Sequence, residues 1–334
     1  MSTVLNESII DFANSLIPAI REKFGLTEDA YDIVMFYQSE NSTFKVTKKA
    51  TGEKMMLRVC EPEYHSFEEI CGEIDFMNAI REYSDLSIPE PIKGINGEYV
   101  QRIEKEGNEY YSVMFTFVKG TSPEQDNLSE LGEYYYKLGC VTAKMHKATI
   151  ESGISDRTSR GTWTPEKLFG EKAILGNYRT AKSFTEDDMR LFDKVEAKIY
   201  KRLEKYGKNK ENYGLVHSDC RLANLLMDGD DISVIDFDDS GLCWFLNDYG
   251  SAFSFIEDSS YVPMLSKNWI KGYESIRELS EADKNELDTF ILIRRFLLQG
   301  FLLSHTESEA VKDGIGDNYS EGTRQLAIRY LQNS

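Results

Sequence analysis

Residues 214–239 read GLVHSDCRLANLLMDGDDISVIDFDD, and the organisation of the whole chain follows from them. The stretch opens on an apolar strand at 213–216 and closes on another at 232–235, and His217, Asp219, Asn224, Asp236 and Asp238 gather at the strand ends. Carboxylates and an amide in that position are the donors with which a protein holds a divalent cation and a phosphate, so phosphoryl transfer is the first expectation. If 225–228 pairs with 232–235 across the turn Gly229-Asp230-Asp231, the ladder is symmetric about Asp230 and sets Asn224 opposite Asp236. Directly opposed residues of an antiparallel ladder lie ~4.5–5.5 Å apart. An amide oxygen and a carboxylate so placed can share one Mg²⁺ and leave room for phosphate oxygens. Asp219, on the loop leaving the first strand, is free to accept or orient the proton of an attacking hydroxyl, and Arg221 can reach the transferring phosphoryl group.

Upstream, residues 4–21 carry Leu5, Ile9, Phe12, Leu16 and Ile20 at helical spacing. Strands are expected at 33–37, 43–46 and 54–59, separated by polar turns, in an antiparallel meander. Ser66 with Glu69 forms a capping-box signature, and the helix it opens puts Glu73 on the apolar stripe of Phe67, Ile70, Ile74 and Met77. An inward carboxylate needs a cationic partner. After the break Ile88-Pro-Glu-Pro, two more strands follow at 99–103 and 110–117, and a glycine-containing link at 119–123 marks the lobe boundary. Downstream the chain reads as mostly helical, at 128–148, 185–206, 261–273, 281–305 and 320–331, with an irregular segment between the first two of these.

The 334 residues suffice for two lobes. An excess of 57 acidic over 39 basic side chains, net −18, opposes nucleic acid and anionic membranes and favours a cationic small molecule. Five scattered cysteines without a CxxC pair argue for a reducing compartment and against structural zinc. Glu7 and Asp11 sit among the first apolar residues, and no apolar run approaches the ~18 residues of a membrane span, so the cytoplasm is the expected location.

The order His217-x-Asp219-x4-Asn224, a short hairpin, then Asp236-Phe237 resembles the catalytic and metal loops of the protein-kinase-like fold. More narrowly, HSDCRLAN followed by VIDFDD resembles the aminoglycoside phosphotransferase and choline kinase group, with its homoserine kinase-like members. The resemblance spans nearly the whole chain. It implies an α+β bilobal fold: an N-terminal lobe at 1–118 with a leading helix and a five-stranded antiparallel sheet plus helix, and a larger, mainly helical lobe at 119–334 holding a catalytic β-hairpin. By the same resemblance Asp219 is the base, Asn224 and Asp236 bind Mg²⁺, and His217 and Asp248 support the loop. Arg58 stands in for the strand lysine that meets ATP phosphates and pairs with Glu73. The turn QSENSTFKV covers the phosphates without a glycine, through Ser39, Asn41 and Ser42, and the hinge MFTFVK meets adenine around Phe117 and Val118. A helix closing on His146 matches a structural landmark of the group.

The expected activity is ATP- and Mg²⁺-dependent transfer of a phosphoryl group to a hydroxyl of a small, amine-bearing molecule such as an aminoglycoside, choline or homoserine. A protein Ser/Thr kinase on the same scaffold and a nucleotide-binding pseudokinase are the alternatives. Asp238 reads as a metal-site or substrate group, or as a turn acid. Asp239, Trp163 and Trp244 are candidates for the acceptor wall, the tryptophans equally for core. Glu257, Asp258, Asp313 and Asp317 are looser acceptor candidates. Neither nucleic acid nor membrane is expected as a partner, and the oligomeric state is open.

Overall fold

The computed structural model describes residues 2–38, 41–60, 62, 64–123, 128–229, 231–306, 311 and 318–333, the side chains of 2–9 and 128 excepted. Ser39, Asp313 and Asp317 fall outside the described residues. Strands β1 (Tyr31–Gln38), β2 (Ser42–Lys48), β3 (Lys54–Val59), β4 (Pro91–Ile92), β5 (Gln101–Lys105) and β6 (Asn108–Thr116) form one antiparallel sheet in the order β1-β2-β3-β6-β4, with β5 also on β6. The two-residue β4 adds a sixth strand to the five expected. Its Pro91 has no N–H to donate and so sits at the sheet edge, opposite Phe115.

Alternation along the strands gives the sheet two faces. Phe44, Val46, Leu57, Val59 and Met114 point outward and are covered by Ala13, Leu16 and Ile20 of α1 (Ser2–Phe24). The other face holds Arg58 and looks onto α2 (Phe67–Tyr83), which starts at the capping box of Ser66 and Glu69 and buries Ile70, Glu73, Ile74, Phe76 and Met77. These α2 side chains belong to a second, larger core that runs without a break into the C-terminal half, where Phe76 meets Phe237 edge-on at 5.9 Å.

That half is built on α3 (Leu128–Ser152), the four-residue α4 (Pro165–Leu168), α5 (Glu186–Tyr206), α6 (Leu246–Ala252), α7 (Val262–Glu274), α8 (Glu281–Ser304) and α9 (Tyr319–Gln332). Helices α3 and α7 approach until their backbones touch: a Cβ on Gly272 would lie 1.9 Å from the Tyr136 carbonyl oxygen and one on Gly139 2.1 Å from that of Trp269. Only glycine permits this spacing. Against the helices lie two small ribbons, β7 (Tyr213–Val216) with β10 (Gly241–Trp244), and β8 (Leu225–Asp228) with β9 (Asp231–Val234). Bridges from Ser87 to Ser233 and from Thr121 to Met227 fasten the hairpin to the α2–β4 connection and to the link between β6 and α3. Among the described residues no helix is long and apolar enough to cross a membrane.

Candidate active site

The loop after β7 is held by its main chain. Asp248, at the start of α6 and fully buried, accepts the N–H of His217 on Oδ2 (3.1 Å) and that of Ser218 on Oδ1 (2.7 Å). Ser218 takes a left-handed φ of +68°, which a non-glycine residue holds only under constraint. The remaining face of Asp248 meets His146 Nε2 at 3.0 Å, and His146 Nδ1 meets the Tyr273 hydroxyl at 2.9 Å. Burial pulls the His146 pKa down against the opposing effect of Asp248. His217 is buried too, its Nε2 3.0 Å from the Ile235 carbonyl and its ring against Phe237. His146, His217 and Asp248 thus brace the loop from beneath and do not face the cleft.

Asp219 leaves this brace toward the cleft. Its Oδ2 accepts Arg221 Nε (3.1 Å) and Asn224 Nδ2 (2.8 Å), and its Oδ1 accepts Arg294 Nη2 (2.5 Å). Burial alone would raise the Asp219 pKa, but the charges of Arg221 and Arg294 outweigh it and hold the carboxyl well below its usual range. The group is an anion at neutral pH. Asn224 spends its amide N–H groups on Asp219, including the backbone carbonyl at 2.9 Å, which turns its oxygen the other way.

The hairpin register differs from the sequence expectation by one residue. Leu225 pairs with Val234 and Asp228 with Asp231, so the turn contains two residues, not three, and Asn224 stands opposite Ile235, whose N–H donates to the Asn224 carbonyl at 3.0 Å. Gly229, with φ +65°, supplies the left-handed conformation that a two-residue turn requires. A slip of one residue would send the next side chain to the wrong face. Asp236 itself adopts φ +68°, and this local left-handed turn re-aims its carboxylate. It opens onto the cleft with protein on its other sides, where burial, followed by the neighbouring carboxylates Asp238, Asp219 and Asp239, pushes its pKa up. Among the described residues no three His, Cys, Asp or Glu side chains form a metal cage. Asn224 and Asp236 offer only oxygen donors, the ligand chemistry that a hard divalent cation takes.

Across the cleft, Arg58 grips Glu73 in a two-pronged bond (Nη1 to Oε1 2.9 Å, Nη2 to Oε2 2.5 Å) and lies 3.3 Å from Asp238 Oδ1. Burial opposes its charge, but Glu73 and Asp238 outweigh that and lock the guanidinium in its charged form. Among the described residues its Nε, which is buried, has no partner. Asn41 donates from the β1–β2 turn to Asp238 Oδ2 (2.8 Å), and Ser42 donates to Gln38 Oε1 (2.5 Å). Phe117 and Val118 follow the end of β6, half-buried, with Lys54 over the Phe117 ring at 5.3 Å.

Two acceptor candidates are relocated. Asp238 is neither a turn acid nor turned to a separate pocket: its carboxylate bridges Arg58 and Asn41 across the lobes. Trp244 is core. It pairs with Tyr213 at the far end of β10, three residues or about 10 Å from the mouth, and donates Nε1 to the Gly207 carbonyl at 2.7 Å. Asp239 and Trp163 do meet, through Trp163 Nε1 and the Asp239 carbonyl at 2.8 Å, while Asp239 Oδ1 accepts the Tyr64 hydroxyl at 2.9 Å. Burial, then Asp219 and Asp238, push the Asp239 carboxyl up to about 6. Glu257 and Asp258 are engaged by Arg295 at 3.0 and 3.1 Å, with the Tyr319 hydroxyl on Glu257, so Glu257 is part of the packing of α8 and α9.

Sequence reasoning missed Tyr64, His65, Arg160 and Arg294. Arg160 donates Nε to the Ser240 carbonyl (2.5 Å) and Nη2 to the Asp238 carbonyl, which His65 Nε2 also meets at 3.0 Å. Arg294 carried a signal: FILIRRFLL places two arginines in a run that must be buried, and buried cations need anions.

Fold and site together define a phosphotransferase of kinase-like, bilobal build that acts on hydroxyl-bearing substrates. Residues 38–279 match the phosphotransferase enzyme family, and the chain belongs to it. Among known proteins it is 23% identical to amicoumacin kinase of Bacillus subtilis (strain 168) over 290 residues, 84% of this chain and 82% of that one. The solved structure of a microcompartment-associated aminopropanol kinase is 30% identical, covers 97% of this chain and 98% of its own, and superposes with a TM-score of 0.83. An amicoumacin kinase solved with AMP-PNP, Ca²⁺ and amicoumacin shares the fold at 18% identity and a TM-score of 0.76, over 96% of this chain and 97% of its own.

Proposed function

We propose that this protein transfers the γ-phosphoryl group of ATP, with Mg²⁺, to the hydroxyl of a small amine-bearing molecule. The observation that carries the reading is the meeting of two charged assemblies: Asp219, hydrogen-bonded to Asn224 on the loop that leads to Asp236, and Arg58, locked to Glu73 and reaching Asp238 two residues beyond Asp236. Asn41 would line the phosphates of ATP, and Ser39, Phe117 and Val118 extend that assignment along the turn and the hinge; Ser42, paired with Val59 on the face toward α1 and with its hydroxyl on Gln38, would offer the phosphates its main chain alone. Asn224 and Asp236 would hold Mg²⁺, which when bound neutralises charge on the phosphates. We set the lobe boundary at 118/119, between β6 and α3.

Asp219 orients the acceptor hydroxyl and takes its proton as the oxygen bonds to the γ-phosphorus. The bond from that phosphorus to the bridging oxygen breaks, and ADP leaves with the electron pair. Arg221 stabilises the charge on the moving group. For the acceptor, Asp239 offers a carboxylate that no cation pairs with among the described residues, with Trp163 beside it. The acidic balance and the likeness to an aminopropanol kinase support an amino alcohol. All five cysteines are free, which supports a cytoplasmic setting. The test is ADP release over a panel of hydroxylated amines and amino acids, with and without Mg²⁺, and with Asp219→Asn as blank. We expect Mg²⁺-dependent turnover of at least one amino alcohol. A flat profile with intact ATP binding would turn the reading to a protein kinase or a nucleotide-binding module.

A further inference from the structure

Arg294 lies on α8, beyond the residues that match the family, and none of the roles assigned so far requires it. Yet its guanidinium is among the most firmly held groups in the molecule. It is 9% exposed and spends its nitrogens on three acceptors in two segments: Nη2 on Asp219 Oδ1 (2.5 Å), Nη1 on the Ser218 carbonyl (3.1 Å) and Nε on Ser254 Oγ (2.9 Å). Burying a guanidinium is costly unless its donors are matched, and here the matching converges on the loop that carries Asp219.

Lone pairs decide what this does. A carboxylate oxygen accepts about two hydrogen bonds. Oδ2 of Asp219 already accepts two, from Arg221 Nε and Asn224 Nδ2, while Oδ1 accepts one, from Arg294. Among the described residues the second lone pair of Oδ1 is therefore the one position on Asp219 left for an acceptor hydroxyl. Its direction is set by where Arg294 holds the other. The same guanidinium holds the carbonyl of Ser218, whose N–H is held by Asp248, so the left-handed residue before Asp219 is clamped on both sides. A lysine could not do this, having no planar fork to span the three acceptors.

We infer that Arg294 is a positioning residue for phosphoryl transfer, presenting Asp219 with one face of Oδ1 open to the acceptor. The inference rests on the assignment of Asp219 as base. Its test compares Arg294→Ala and Arg294→Lys in the wild-type and in the Asp219→Asn backgrounds. ADP release is measured with Mg·ATP and either 1-amino-2-propanol or water as acceptor, and ATP affinity is measured by calorimetry. Misplacing a reacting group by about 1 Å costs about 100-fold, so Arg294→Ala should lower kcat by about that factor, with Arg294→Lys intermediate. ATP affinity should stay within about 2-fold. In the Asp219→Asn background, removing Arg294 should change the residual rate by less than about 2-fold, since the group it presents is no longer a base.

Equal fold-losses in both backgrounds would overturn the inference, as would wild-type turnover in Arg294→Ala or a fall in ATP affinity that accounts for the fall in rate. If Arg294→Ala does not fold, the Arg294→Lys pair decides by the same comparison. Wild-type turnover in Asp219→Asn alone would overturn the base assignment, and this inference with it; that result is distinct from the equal losses that would sink the inference alone.

Discussion

Replacing Glu73 by leucine should destabilise the protein more than replacing Glu73 and Arg58 together. Glu73 is 1% exposed and Arg58 8%, and the two are joined by parallel bonds of 2.9 and 2.5 Å. Removing one partner of a buried pair leaves an uncompensated charge and costs roughly 3–5 kcal/mol, whereas replacing both by apolar groups is often close to neutral. In Glu73→Leu the arginine keeps Asp238 at 3.3 Å, which places the expected loss near the lower end, about 3 kcal/mol. Arg58→Met should lose about as much, since Glu73 is then buried alone. In Arg58→Met with Glu73→Leu, only Asp238 is left short of a partner, and it retains Asn41 and lies close to His65. The double variant should thus lose less than either single, giving a favourable coupling of about 3 kcal/mol or more. Urea unfolding followed by the fluorescence of Trp163, Trp244 and Trp269 measures all four proteins at a common slope. Additive single losses, within about 0.5 kcal/mol, would refute the claim that the two residues act as one buried unit.

Asp248→Ala strips the acceptors from the His217 and Ser218 N–H groups and the partner from His146 Nε2; we expect a loss of at least about 2 kcal/mol together with a fall in kcat larger than the change in ATP affinity, read by unfolding and by steady-state rates. Asp188, at the start of α5, is held well below the usual carboxylate range, chiefly by its hydrogen bond from Arg324, so its contribution is present above the unfolded pKa of about 3.9 and is lost as pH falls toward the folded value. Arg324→Met should therefore raise the pH midpoint of acid unfolding, measured by circular dichroism; an unchanged midpoint would contradict the linkage.

What was legible in the chain was what is local to it. The capping box at Ser66 and Glu69 lies within one helical turn, and Asp219, Asn224 and Asp236 follow one another within 18 residues. The inward Glu73 called for a cation, and the strand rule for kinase-like folds supplied Arg58, so even a contact fifteen residues apart could be reached. The register of β8 and β9 could not, because it turns on the choice between a two- and a three-residue turn, and Asp236 conceals the difference by a left-handed backbone that its residue type does not announce. Arg294 is 75 residues from Asp219, and only the packing of α8 against the catalytic loop joins them. Trp244 was ambiguous for a related reason: strand alternation says which side a residue faces but not how far along the strand the site extends.

The larger core has a mechanical meaning. Since α2 shares its interior with the helices and ribbons of the C-terminal half, the two lobes are not separate beads joined by a flexible link. Wide opening of the cleft would tear Phe76 from Phe237, and sliding of the sheet over α2 would break the bond between Arg58 and Glu73, so α2 ties the sheet and the C-terminal half into one frame. α1 is held to the sheet by a separate, smaller core, so its attachment depends on fewer buried side chains than that of α2.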